Sequence, residues 1–233
     1  MIEKADYQRT ELGSIIGEFA SMKHFEFTGE TLLHSGVTLR RIRATRDIPI
    51  HGVKTGDLGG WIEREENLSD SGWVGEEAKV SGYARVYGDA QVSGNAHVFG
   101  YAWIYERARV NGSAKVYGSA RVYGNAWIYE SAHVFGYAWI YGSARVYGYA
   151  QVSGNSKVSE SARVYGSAQV YGSAQVSGDA RVFGRARVYG RAQVYGDALV
   201  YGDDALVYGD ALVYGGARVG GETVVYGSTH VCY

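Results

Sequence analysis

The chain has 233 residues and a formal net charge of −1. That is length for one large domain or two small ones, with no overall basic field to recruit a nucleic acid polymer or an anionic membrane. The lone cysteine, Cys232, excludes an internal disulfide framework and a cysteine-rich metal site. With 34 glycines, 21 tyrosines and one proline the composition is far from globular usage, yet 46% apolar and 14% aromatic residues argue against disorder, so a repeat is expected.

The first sixty residues show no period. They hold no charged-then-apolar leader and no long apolar run, which predicts a soluble, cytoplasmic chain. Ile15, Ile16 and Phe19 suit a short helix. The stretches KHFEFT from Lys23 and VTLRRIRAT from Val37 alternate as strands do, with the turn signal Thr28-Gly29-Glu30 between them. Residues 1–60 are therefore expected to form an N-terminal cap over the first strand edge of the repeat region, and Gly59-Gly60-Trp61 hands the chain over to residues 61–233.

From Ile62 to Val200 every sixth residue is aliphatic. After a slip of one residue the series resumes at Val207 and runs to Val231. A small residue, usually Ala, comes four positions after nearly every aliphatic, and Gly usually comes two after it, giving the unit V-Y-G-x-A-x. A period of six is no helix face, which would need 3.6. As a strand, Ala and Val point in while x and Tyr point out, and Gly supplies the positive φ of a sharp corner. Hexads of this kind build a parallel β-helix, three to a triangular coil of eighteen residues, here about nine coils.

The aliphatic-x-x-x-small hexad resembles the left-handed β-helix of hexapeptide-repeat proteins. The segment LRRIRATRDI…VKTGDLGGWIEREENLS, running into WVGEEAKV, resembles the YdcK-type proteins of bacteria, phages and prophages, which are grouped with acyltransferases. The resemblance implies a left-handed prism, a homotrimer with ligands held between adjacent prisms, and, in most characterised relatives, CoA-dependent acyl transfer with a His as general base.

Residues eighteen apart stack on one face, so outward positions become columns. The nonapeptide HVFGYAWIY occurs at 97–105 and again at 133–141, two coils apart. It sets His97, Phe99, Tyr101 and Trp103 along one edge and repeats them as His133, Phe135, Tyr137 and Trp139. Lys115, Tyr117 and Arg121 fill the coil between. Aromatic faces interleaved with Lys, Arg and His can stack on planar rings and pair with phosphates or carboxylates. The same residue types suit a subunit interface, and duplication of a two-coil unit would copy them without any role. The outward Tyr columns, such as Tyr87, Tyr105, Tyr123 and Tyr141, are expected to be structural ladders, with a carbohydrate surface as the alternative.

Towards the end of the chain, Leu199, Leu206 and Leu212 stand outward where earlier coils have Arg, Gln or Lys, which predicts a contact surface, here end-to-end self-association. Asp197, Asp203 and Asp210 fall on different corners and are not expected to bind metal. Three functions are consistent with these residues. The first is a non-catalytic, oligomeric rod, phage-type by resemblance, that binds or sequesters a planar, anionic, nucleotide-like ligand or a partner protein in grooves between prisms, without a cofactor. The second is an acyltransferase using acetyl-CoA or another acyl-CoA with His97 or His133 as base. Against it stand the absence of a loop excursion and the presence of two identical His sites. The third is a structural assembly element.

Overall fold

A computed structural model describes residues 23–233; the helix expected around Ile15, Ile16 and Phe19 lies outside them. Within the repeat, the inward Val and Ala of coil after coil are wholly buried, Val80, Ala84, Val116, Ala120 and Val188 among them. Burying one Val is worth roughly 1.5–3 kcal/mol, and no single hexad can do so alone. Each can be buried only against its neighbours in the stack.

Hydrogen bonds define that stack. In most hexads three N–H groups donate to the next coil, as where Lys115 bonds Ala132 O at 2.9 Å, Tyr117 bonds Val134 O at 3.0 Å and Ser119 bonds Gly136 O at 2.7 Å. The resulting ladders form three sheets, one on each face of the prism. We call face A the one carrying Lys115 and Val116, face B the one carrying Arg121 and Val122, and face C the one carrying Trp127 and Ile128; the chain visits them in that order. All ladders within the rod are parallel and, apart from those spanning Asp203-Asp204, in register at eighteen residues, for example Lys115 beside His97 and His133. The rod has about ten turns, slightly more than the nine expected. The extra residue at Asp203-Asp204 is absorbed in one corner: Arg187 pairs Leu206 nineteen residues on, and Leu206 pairs Val224 at the usual eighteen.

The corners explain the glycines. At Gly118, φ is +70°, and an added Cβ would lie 2.9 Å from Gly136 N in the next coil. Where Glu takes the corner it adopts the same left-handed conformation, and two of these residues gain a compensating bond. Glu106 (φ 57°) accepts the Gly124 N–H at 2.9 Å, and Glu160 (φ 58°) accepts that of Gly178 at 2.7 Å.

Before the rod lie three longer strands, β1 (Phe25–His34), β2 (Val37–Ala44) and β3 (Leu58–Ile62). β1 and β2 pair antiparallel, β2 pairs antiparallel with β3, and β3 pairs parallel with Lys79–Val80, so the hairpin continues the sheet of face A. The expected turn at Thr28-Gly29-Glu30 is a β-bulge instead. Gly29, at φ +93°, kinks β1 there and shifts its register. The turn is Ser35-Gly36, both at positive φ, as a tight hairpin requires. Arg41 fastens the hairpin to the rod. It pairs with Glu77 at 2.8 Å and lies over Trp61, whose indole N–H donates to the same carboxylate at 2.9 Å. These two bonds, Trp61 first, hold the Glu77 carboxyl below its usual range.

Gly118→Ala is expected to cost about 1–3 kcal/mol and lower the thermal midpoint. Gly221→Ala, also at positive φ but with nothing within 4 Å of an added Cβ, should cost less. Thermal melts of both variants check the difference.

Candidate functional site

The predicted site residues do come together on one edge of the prism, but most of their ring faces are already used. Phe99, Tyr117 and Phe135 stack face to face at 4.8 and 4.9 Å on the corner between faces A and B. On face B, Arg121 lies between Trp103 (5.2 Å) and Trp139 (5.0 Å); Arg85 and Lys157 extend the alternation at 6.0 and 5.7 Å. A cation over an indole is satisfied electrostatically, so this column is a self-contained stack of charge and ring. The tyrosine ladder expected to be structural is one, with Tyr87, Tyr105, Tyr123 and Tyr141 stacked at 4.8–5.1 Å. Burial and its stacked neighbours push the Tyr105 hydroxyl up to about 12.

Free ring surface remains in the adjoining corner column. Tyr83 and Tyr101 are stacked at 5.1 Å and each is 60% exposed; Tyr137, two coils beyond Tyr101 and past the small Ser119, is 65% exposed. Between this column and face B opens a cleft of about 480 Å³, lined by Arg64, Glu66, Asn67, Tyr83, Arg85, Tyr101 and Trp103. The Arg64 guanidinium sits 4.9 Å from the Tyr83 ring centroid and pairs with Glu63 at 2.5 Å; among the described residues its buried Nε has no hydrogen-bond partner. Asn67 fixes the floor by donating to Gly82 O at 3.1 Å and Ala84 O at 2.8 Å. Burial opposes ionisation of the adjacent Glu63, yet the Gly82 N–H and Arg64 outweigh it and hold that carboxyl below its usual range. Of the predicted residues only Tyr101 and Trp103 line the cleft. Tyr83 and Arg85 were legible as members of the same columns, one coil earlier; Arg64, which precedes the first complete coil, had no periodic signal.

The two nonapeptides, identical in sequence, lie in different surroundings. His34, in β1, stands edge-on to His97 at 5.0 Å, and Phe99 covers it at 4.5 Å. His97 Nε2 is 3.4 Å from Ser81 Oγ. Burial, then His34, Lys79 and Lys115, bring its pKa from 6.5 to about 4. His133 is lowered by burial and Lys115 alone. A general base works best with a pKa near the working pH, and His97 is too weakly basic for that. His24 and His51 are occupied by backbone carbonyls, Gly72 O at 2.8 Å and Ser71 O at 2.9 Å.

Segments 90–106, 174–190, 192–203 and 205–221 match the family described as the YdcK beta solenoid repeat. The chain is a parallel β-solenoid, and the matched segments are similar to that repeat. The resemblance drawn from the hexads is borne out, and the first nonapeptide lies inside a matched segment of the solenoid. No curated protein matches this chain. Among the described residues no three His, Cys, Asp or Glu side chains are grouped to hold a metal ion, and no helix is long and apolar enough to cross a membrane.

The shift at His97 carries a pH dependence. Between pH 6.5 and about 4 the unfolded chain takes up a proton that the folded rod refuses at this site. Stability is therefore full above that window and is lost as pH falls through it. His97→Gln should flatten this acid limb by on the order of 1–3 kcal/mol, allowing for partial exposure. Urea midpoints of the two proteins, measured on either side of the window, check it.

Proposed function

We propose that this β-solenoid is a non-catalytic binding rod whose cleft at Arg64, Tyr83, Arg85, Tyr101 and Trp103 takes a small ligand combining a planar ring with an anionic group, of the nucleotide kind. The observation that supports the reading most is the juxtaposition, in one 480 Å³ cleft, of two arginines with a stacked and largely exposed tyrosine pair. Exposed ring faces offer stacking to a planar group, and guanidinium N–H groups offer paired, charge-assisted bonds to a phosphate or carboxylate. The cleft needs one chain only. In a homotrimer with prisms side by side, a neighbour would close the groove from outside.

Native mass spectrometry of the protein with added ADP is expected to show one bound nucleotide per chain and to give the oligomeric state in the same spectrum. Arg85→Ala and Tyr101→Ala should each weaken ADP binding about tenfold, the loss of one charged or stacking contact. Wild-type affinity in both variants, or no nucleotide bound to the parent protein, would sink the reading.

A further inference from the structure

The aromatic ladder on the corner between faces A and B lacks a single rung. Phe99, Tyr117 and Phe135 form one stack, and Tyr171, Tyr189, Tyr208 and Tyr226 form another, with Ser153 in the coil between. The orientation of both walls is set by their outer neighbours: Phe135 is parallel to Tyr117 within 2° at 4.9 Å, and Tyr171 to Tyr189 within 1° at 4.9 Å. The backbone ladder runs unbroken through the gap, with Phe135 N bonded to Val152 O and Ser153 N to Val170 O, both at 2.9 Å. The two ring faces are thus two coil steps, about 10 Å, apart. One planar ring placed midway has the spacing that every other rung of the ladder has.

We infer that this gap is a binding slot for one uncharged heteroaromatic ring of the nucleobase kind, stacked between Phe135 and Tyr171. Two aromatic faces with no ring between them select a planar, polarisable guest. The groups at the mouth select its character. Gln151 and Asn155 are exposed on either side of Ser153, so a ring edge meets neutral amides and a hydroxyl that both donate and accept. The cation of the same coil, Lys157, is drawn onto Trp139 on face B. The floor is fixed from inside, because Ser156, wholly buried at a position Ala usually fills, donates to Ser153 O at 2.7 Å. Among the described residues the other one-rung gap, at Ser119 between Tyr101 and Tyr137, has only one wall held by a stacked neighbour, because Asn155 follows Tyr137 in that column. The Tyr87–Tyr141 ladder stops at Ser159 and Ser177 together, and two missing rungs are too wide for one ring. The slot is separate from the cleft at Arg64 and Arg85 and does not depend on it.

The test is calorimetric titration of the full-length protein with adenosine, an uncharged probe. Ser153→Tyr supplies the missing rung from within. It is expected to raise the thermal midpoint and to weaken adenosine binding at least tenfold, while Ser153→Ala leaves binding near wild type. Tyr171→Ala removes one wall and should weaken binding similarly, which decides the matter if Ser153→Tyr does not fold. Arg85→Ala should leave adenosine binding unchanged, separating the slot from the cleft. No adenosine binding at millimolar concentration overturns the inference, as does binding that survives both Ser153→Tyr and Tyr171→Ala. Capture of a tyrosine-bearing peptide in preference to adenosine overturns the small-ring assignment.

Discussion

The inter-coil hydrogen bond sets every other dimension of this rod. Each coil donates its N–H groups to the next, so neighbouring coils stand one strand spacing apart, about 4.8 Å. The inward space left at that spacing is narrow, and Val with Ala, wholly buried, fills it. The corners are equally confined, which is why Gly or a left-handed Glu occupies them. The same spacing suits stacked aromatic rings, and every ring column on the outside takes its geometry from the backbone beneath it.

Periodicity made the rod legible because one physical requirement, burial of the residue at every sixth position, acts unchanged along the chain. The columns came from it without further information. What the period could not tell was how the outward side chains use one another. Phe99 and Trp103 read as surfaces awaiting a ligand, but their neighbours eighteen residues on, Tyr117 and Arg121, are the partners that cover them. The non-repetitive part was harder. Thr28-Gly29-Glu30 carries a turn signal and became a bulge, since pairing of β1 with β2 continues on both sides of Gly29. The contact between His34 and His97 joins residues whose proximity no column rule encodes, and it separates two nonapeptides that the sequence makes identical.

A surface so thoroughly stacked leaves few places for recognition. Rings with both faces covered can offer only their edges, and arginines held over indoles have part of their charge already engaged. The sites that remain are places where the pattern is interrupted. At the start of the rod, Arg64 and Asn67 replace what a preceding coil would supply, and a cleft results. Further along, Ser153 stands between two runs of the column that carry Phe or Tyr. Chemistry in such a protein resides in departures from the repeat, while the repeat itself supplies rigidity.

The equality of the coils has a consequence for how such a molecule changes over generations. Two identical nonapeptides lie two coils apart in the same register, so unequal recombination between their coding segments would add or remove thirty-six residues and leave every remaining coil a compatible neighbour. Length is then inherited in whole turns, as a ruler is cut at its marks. The single residue absorbed at Asp203-Asp204 shows the other mode of change, in which a corner takes up an insertion that the ladder never registers.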